Sequence, residues 1–133
     1  RALKMPAPEL EGTTADIDTN ISAKTMQTLK FLKDYDFVVA HFNGSDEAAH
    51  RYDYRGKADF ITRIDREFIG PVMQEVMQPL KIVICGDHVT SCVTGRHSAD
   101  KVPVIAAAVN YDNNVPVIGT YHDIHKFLMG ASD

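Results

Sequence analysis

The chain has 133 residues, 44% hydrophobic and 24% charged, the balance of one soluble globular domain with a modest core and not of a fibrous or disordered chain. Its formal net charge of -4 excludes a sequence-independent nucleic-acid surface, which needs clustered Lys and Arg to displace counterions, and leaves a small molecule as the better-matched partner. No apolar run approaches the roughly 18 to 20 residues that cross a bilayer, and Cys85 and Cys92 are too few for a disulfide framework, so no membrane partner, reduced thiols and a cytoplasmic location are expected.

The chain opens at Arg1 instead of Met, which reads as a processed, trimmed or proteolytic piece of something longer. Residues 1–18 carry Pro6, Pro8, Gly12 and paired threonines with little periodicity, predicting an irregular opening segment. From Thr19 or Asn20, Ile21, Thr25, Leu29 and Leu32 recur every three or four residues, which predicts an amphipathic helix ending near Asp34-Tyr35. The apolar, β-branched run from Asp36 to Phe42 then predicts a buried strand.

Asn43-Gly44-Ser45 reads as a turn into a helical stretch at Asp46–Tyr52. Gly56–Gln78 carries a longer helical pattern that Pro71 must kink or break. Lys81–Cys85 predicts a second buried strand, Val102–Val109 is a third apolar, strand-like run, and Thr120–Met129 predicts a final helix with Ile124, Phe127 and Leu128 on one side. Helices between strands predict an α/β fold with parallel pairing through right-handed crossovers. No repeat or linker interrupts the chain, so residues 1–133 read as one domain.

Two strand-like runs end in residues that bind metals. Phe37–Phe42 leads to Asp46 and His50, four apart and therefore on one face of a helical turn; a solvated i,i+4 pair is the alternative reading. Lys81–Cys85 leads through Gly86 to Asp87 and His88. Neighbours in a regular strand point to opposite faces, so these two can share an ion only if the backbone leaves the strand at Gly86; otherwise Asp87 caps a turn. His97 follows in a polar loop. Taken together, three such groups after strand ends point to a divalent metal site at one sheet edge, and carboxylates mixed with imidazoles suit zinc or manganese. Cys92 reads as a small loop or core residue, His41 as packed or supporting, Glu47 as an orienting or a solvated acid, and His122 and His125 as surface residues.

The stretch from Asp36 to His50, Arg63-Ile64-Asp65, the run Ile82-Val-Ile-Cys-Gly-Asp-His88 and His97-Ser-Ala-Asp-Lys-Val-Pro-Val104 resemble the cofactor-independent phosphoglycerate mutases, especially their archaeal-type branch, within the alkaline phosphatase superfamily. Gly12–Asn20 is similar to the Gly/Thr-rich loop that opens the last third of those enzymes. The resemblance implies the C-terminal portion of an alkaline-phosphatase-like parallel sheet with flanking helices. It implies a partial metalloenzyme domain that interconverts 3-phosphoglycerate and 2-phosphoglycerate through a phosphoserine.

It also implies two divalent ions, Mn or Zn, one held by Asp46, His50 and His97 and the other by Asp87 and His88. The family's metal-binding Asp and nucleophilic Ser, both upstream of the Gly/Thr-rich loop, have no counterpart in these residues, and no catalytic or substrate-binding residue is assigned. Five side chains also fall short of two sites that want about four ligands each. Inactivity of the isolated chain follows, with an unpaired sheet edge suited to homo-oligomer formation. The alternatives are another phosphomutase or phosphohydrolase of that superfamily, or a non-catalytic metal-binding remnant.

Overall fold

The computed structural model describes residues 5–112 and 114–130, so residues 1–4 of the opening segment lie outside the described residues. The described residues divide into two compact units. One runs to Glu75 and takes in Thr90–Arg96; the other holds Val76–Val89 and the chain from His97 onward.

The first unit is mostly helical. Its opening residues are irregular, with turns at Glu11-Gly12 and around Asp16. The predicted first helix is α1, Ile21–Asp34, capped by the Asn20 side chain, which accepts from the Ala23 N–H and satisfies one of the donors a helix start leaves open. Ile21 and Thr25 are its buried residues. Helix α2 spans Gly44–His50 and buries Gly44, Ala48 and Ala49, three small residues that let it lie close to its neighbours. Helix α3 spans Tyr54–Ile64, with Asp53 as its cap and Phe60 buried to 1% exposure.

The interruption predicted at Pro71 takes the form of a π-helical turn, Asp65–Ile69, followed by α4, Gly70–Glu75. Proline has no N–H to return to the carbonyl four residues back, here that of Glu67. Buried Thr25 of α1 donates its hydroxyl to that carbonyl at 2.8 Å, with the Ile21 carbonyl 3.0 Å away as a second acceptor. Thr25→Val keeps the shape and removes the donor. It should cost about 1–2 kcal/mol in a urea titration, and an unchanged midpoint would show that the carbonyl does not depend on this bond.

The strand predicted at Asp36–Phe42 does not form. The segment has no ladder partner among the described residues, and Phe37 and Val39 are 49% and 62% exposed. A β-branched apolar run encodes fitness for a pleated surface, but a strand also needs a neighbour to bond. The segment is held at its end, where Lys24 Nζ donates to the His41 carbonyl at 2.7 Å and Phe42 meets Phe68 edge-to-face at 5.0 Å.

The second unit carries β1, Leu80–Cys85, and β4, Val104–Val109, paired in register from Leu80 with Val109 to Cys85 with Val104. The pairing is antiparallel, which corrects the parallel expectation. The reason lies in the connection: between these strands the chain makes only a short hairpin, β2 (Val89–Ser91) with β3 (Arg96–Ser98), and not the helical crossover a parallel pair requires. β1, predicted as a buried strand, is half-buried, with one described helix packed on it. That helix, α5, spans Tyr121–Met129. It starts on a capping box in which Thr120 and Asp123 bond each other's backbone, and it ends at Gly130 with φ 69°. Phe127 is its buried anchor, and Lys81 Nζ donates to the Phe127 carbonyl at 2.6 Å. The fold is thus mixed α/β. No described helix is long and apolar enough to cross a membrane.

Candidate metal centre

In the first unit, α2 presents Asp46 and His50 on one face, as the i,i+4 spacing predicts. Asp46 Oδ1 and His50 Nε2 stand 3.4 Å apart. That is wider than a charge-assisted N–H to carboxylate bond, about 2.7–2.9 Å. It falls within the edge between two ligands of a tetrahedral zinc, ~3.3–3.6 Å when each bond is about 2.0–2.2 Å. The other ring nitrogen, Nδ1, lies 2.8 Å from the Gly95 carbonyl. A carbonyl oxygen can only accept, so Nδ1 carries a proton and Nε2 is the nitrogen that faces Asp46. Metal-binding histidines are held in this way, and the donor set fits a divalent ion of the zinc or manganese type.

Both residues are steadied from the hairpin segment. The Thr90 hydroxyl donates to Asp46 Oδ1, and Lys57 Nζ of α3 donates to the Thr90 carbonyl at 2.8 Å. Gly95, with φ 65°, makes the turn that brings its carbonyl to His50, a conformation open to glycine. The C-terminal end of α2 is fixed by Arg51, just past its last residue, whose guanidinium grips both oxygens of Asp16 at 2.8 and 2.6 Å. That bond, with the Ile17 N–H as a second donor, holds the Asp16 carboxyl below the usual range.

In the second unit the chain leaves β1 at Gly86 and runs through Asp87 and His88 before β2. The adjacent carboxylate and imidazole come to one side, Asp87 Oδ2 to His88 Nε2 being 3.6 Å. Tyr121, the first residue of α5, directs its hydroxyl at the Gly86 and Asp87 carbonyls, 2.8 and 2.9 Å away, and so ties the turn to the helix. The His88 ring stacks on His97, with centroids 3.9 Å apart. Burial, and secondarily the Asp87 carboxylate, pushes the Cys85 thiol up. Cys92 is likewise a free thiol.

The supporting residues had no local signal in the sequence. Thr90 and Gly95 lie 44 and 45 residues beyond their partners, and Tyr121 lies 34 and 35 residues beyond its carbonyls. Glu47 accepts from Asn43 at 3.2 Å, and its nearest basic group is Arg51, 3.9 Å away. His41, His122 and His125 are exposed.

Residues 4–129 match the profile of the metalloenzyme superfamily. The chain belongs to this superfamily. Two similar proteins within reach of the metalloenzyme match are the 2,3-bisphosphoglycerate-independent phosphoglycerate mutases of Methanopyrus kandleri and Thermococcus kodakarensis. The first is 42% identical over 106 residues, covering 78% of this chain and 25% of the mutase. The second is 38% identical over 108 residues, covering 80% and 26%. A solved structure from Pyrococcus horikoshii aligns with a TM-score of 0.75 at 39% identity, covering 80% of this chain and 32% of that one. The chain thus spans about a quarter of the length of these mutases.

Proposed function

We propose that these residues form the C-terminal part of the single catalytic domain of a metal-dependent phosphoglycerate mutase that interconverts 3-phosphoglycerate and 2-phosphoglycerate. The observation that carries the reading is the Asp46–His50 pair, set at the ligand edge of a tetrahedral ion with the imidazole proton committed to Gly95. The similarity to named phosphoglycerate mutases supplies the substrate class.

Asp46, His50 and His97 hold one ion in this reading, and Asp87 with His88 holds the other. When bound, paired divalent ions supply Lewis acidity toward phosphate oxygens and the attacking hydroxyl. The chain's own residues bring acceptor atoms together: α2 sets Asp46 against His50, the Gly95 carbonyl retains the Nδ1 proton, and Tyr121 fixes the turn that bears Asp87 and His88. Transfer through a phosphoserine needs a serine. Ser45, Ser91 and Ser98 do not match the family's nucleophile, which lies upstream of the Gly/Thr-rich loop.

A polypeptide limited to these 133 residues is therefore expected to bind Mn or Zn and to leave 3-phosphoglycerate unchanged. A coupled assay for 2-phosphoglycerate checks this. Chelator-sensitive turnover would overturn the inactivity, and a folded chain that shows no heat of binding with either ion would overturn the metal reading.

A further inference from the structure

Thr90 is a polar side chain buried to 4% exposure, and its hydroxyl donates to the Asp46 carboxylate. A valine would fill the same volume, so packing alone gives no reason for a hydroxyl here. An ionised carboxylate oxygen has two lone pairs, so accepting from Thr90 does not by itself stop Oδ1 from also serving a cation. Thr90 is itself held in two ways. Its β-branched side chain has few rotamers in a strand, and its carbonyl is bonded by Lys57 Nζ at 2.8 Å. The same hairpin segment holds His50 through the Gly95 carbonyl.

We infer that Thr90 is a positioning residue for metal capture: it holds Asp46 Oδ1 facing His50 Nε2 before any ion arrives. This rests on the metal-binding reading of Asp46 and His50. Loss of such an outer partner lowers metal affinity about 10- to 100-fold, and Thr90→Val is the isosteric test.

The experiment titrates Zn2+ by calorimetry into the metal-free 133-residue chain, Thr90→Val, Thr90→Ser and His50→Ala. Proton NMR of the metal-free wild type watches for a slowly exchanging Thr90 hydroxyl resonance. The expected result is affinity reduced about 10- to 100-fold in Thr90→Val, retained in Thr90→Ser, and a hydroxyl resonance present in the wild type without metal. Wild-type affinity in Thr90→Val, with binding lost in His50→Ala, would overturn the role of Thr90 and leave the metal site standing. Absence of Zn2+ binding by the unsubstituted chain would overturn both. If Thr90→Val does not fold, Thr90→Ser and the hydroxyl resonance decide: weakened binding in the serine variant, or no slowly exchanging resonance, sinks the proposal.

Discussion

His50→Ala is expected to abolish measurable divalent-metal binding by the first unit. In the proposed reading His50 contributes a ligand atom, not an outer contact, so the loss should exceed the ~10- to 100-fold typical of an outer partner. The two nitrogens divide the labour. Nδ1 gives its proton to Gly95 at 2.8 Å, and Nε2 faces Asp46 Oδ1 at 3.4 Å. His50→Gln is the informative companion, because an amide can still donate to Gly95 but offers only a weak oxygen ligand. Calorimetry with Zn2+ and Mn2+ on both variants, beside circular dichroism to confirm that each is folded, measures the effect. Full affinity in His50→Ala would place the ion elsewhere. Since His50 is partly exposed, water can replace its bond to Gly95, and the stability change should stay within about 0.5–1.5 kcal/mol.

Gly44→Ala should damage the same centre from the packing side. Gly44 is buried at the start of α2, and a Cβ there would lie 2.8 Å from the Asp16 carbonyl carbon, the Ile17 nitrogen and Phe60 Cε1. Two of those atoms are backbone, and Phe60 is 1% exposed. The glycine is required for space, since its φ is not positive. One added methyl in a closed site costs about 1–3 kcal/mol, which lowers Tm by roughly 4–8 °C per kcal/mol in a unit of this size. Because α2 must shift to admit it, Asp46 and His50 shift as well, and Zn2+ affinity should fall with Tm. Gly86→Ala is the control. There a Cβ meets nothing closer than the His88 carbonyl oxygen at 3.4 Å, so Tm should move by less than the equivalent of about 0.5 kcal/mol. Equal effects at the two glycines in thermal unfolding would refute the packing argument.

Helices were the legible part of the fold because their causes are local. Asn20 before Ile21, the spacing of Ile21 and Thr25, Pro71 after Phe68, and Thr120 three residues before Asp123 each act within a turn or two of chain. Strand behaviour was less legible, because a ladder depends on a distant neighbour. Phe37–Phe42 has strand composition and remains unpaired, whereas Leu80–Cys85 found Val104–Val109 and did so antiparallel.

The candidate centre divides along the same line. By itself the sequence determined that Asp46 and His50 share a helix face and that Asp87 and His88 follow a strand end, since the helical period and a short strand-like run are properties of adjacent residues. Only the tertiary structure decided that Nδ1 of His50 is bound to Gly95, that Thr90 holds Asp46, that Tyr121 secures the Gly86-Asp87 turn, and that Gly44 has no room for a methyl. Those contacts join residues tens of positions apart. Those of the first unit form around buried Phe60, Ala48 and Ala49, and no spacing rule along the chain encodes any of them.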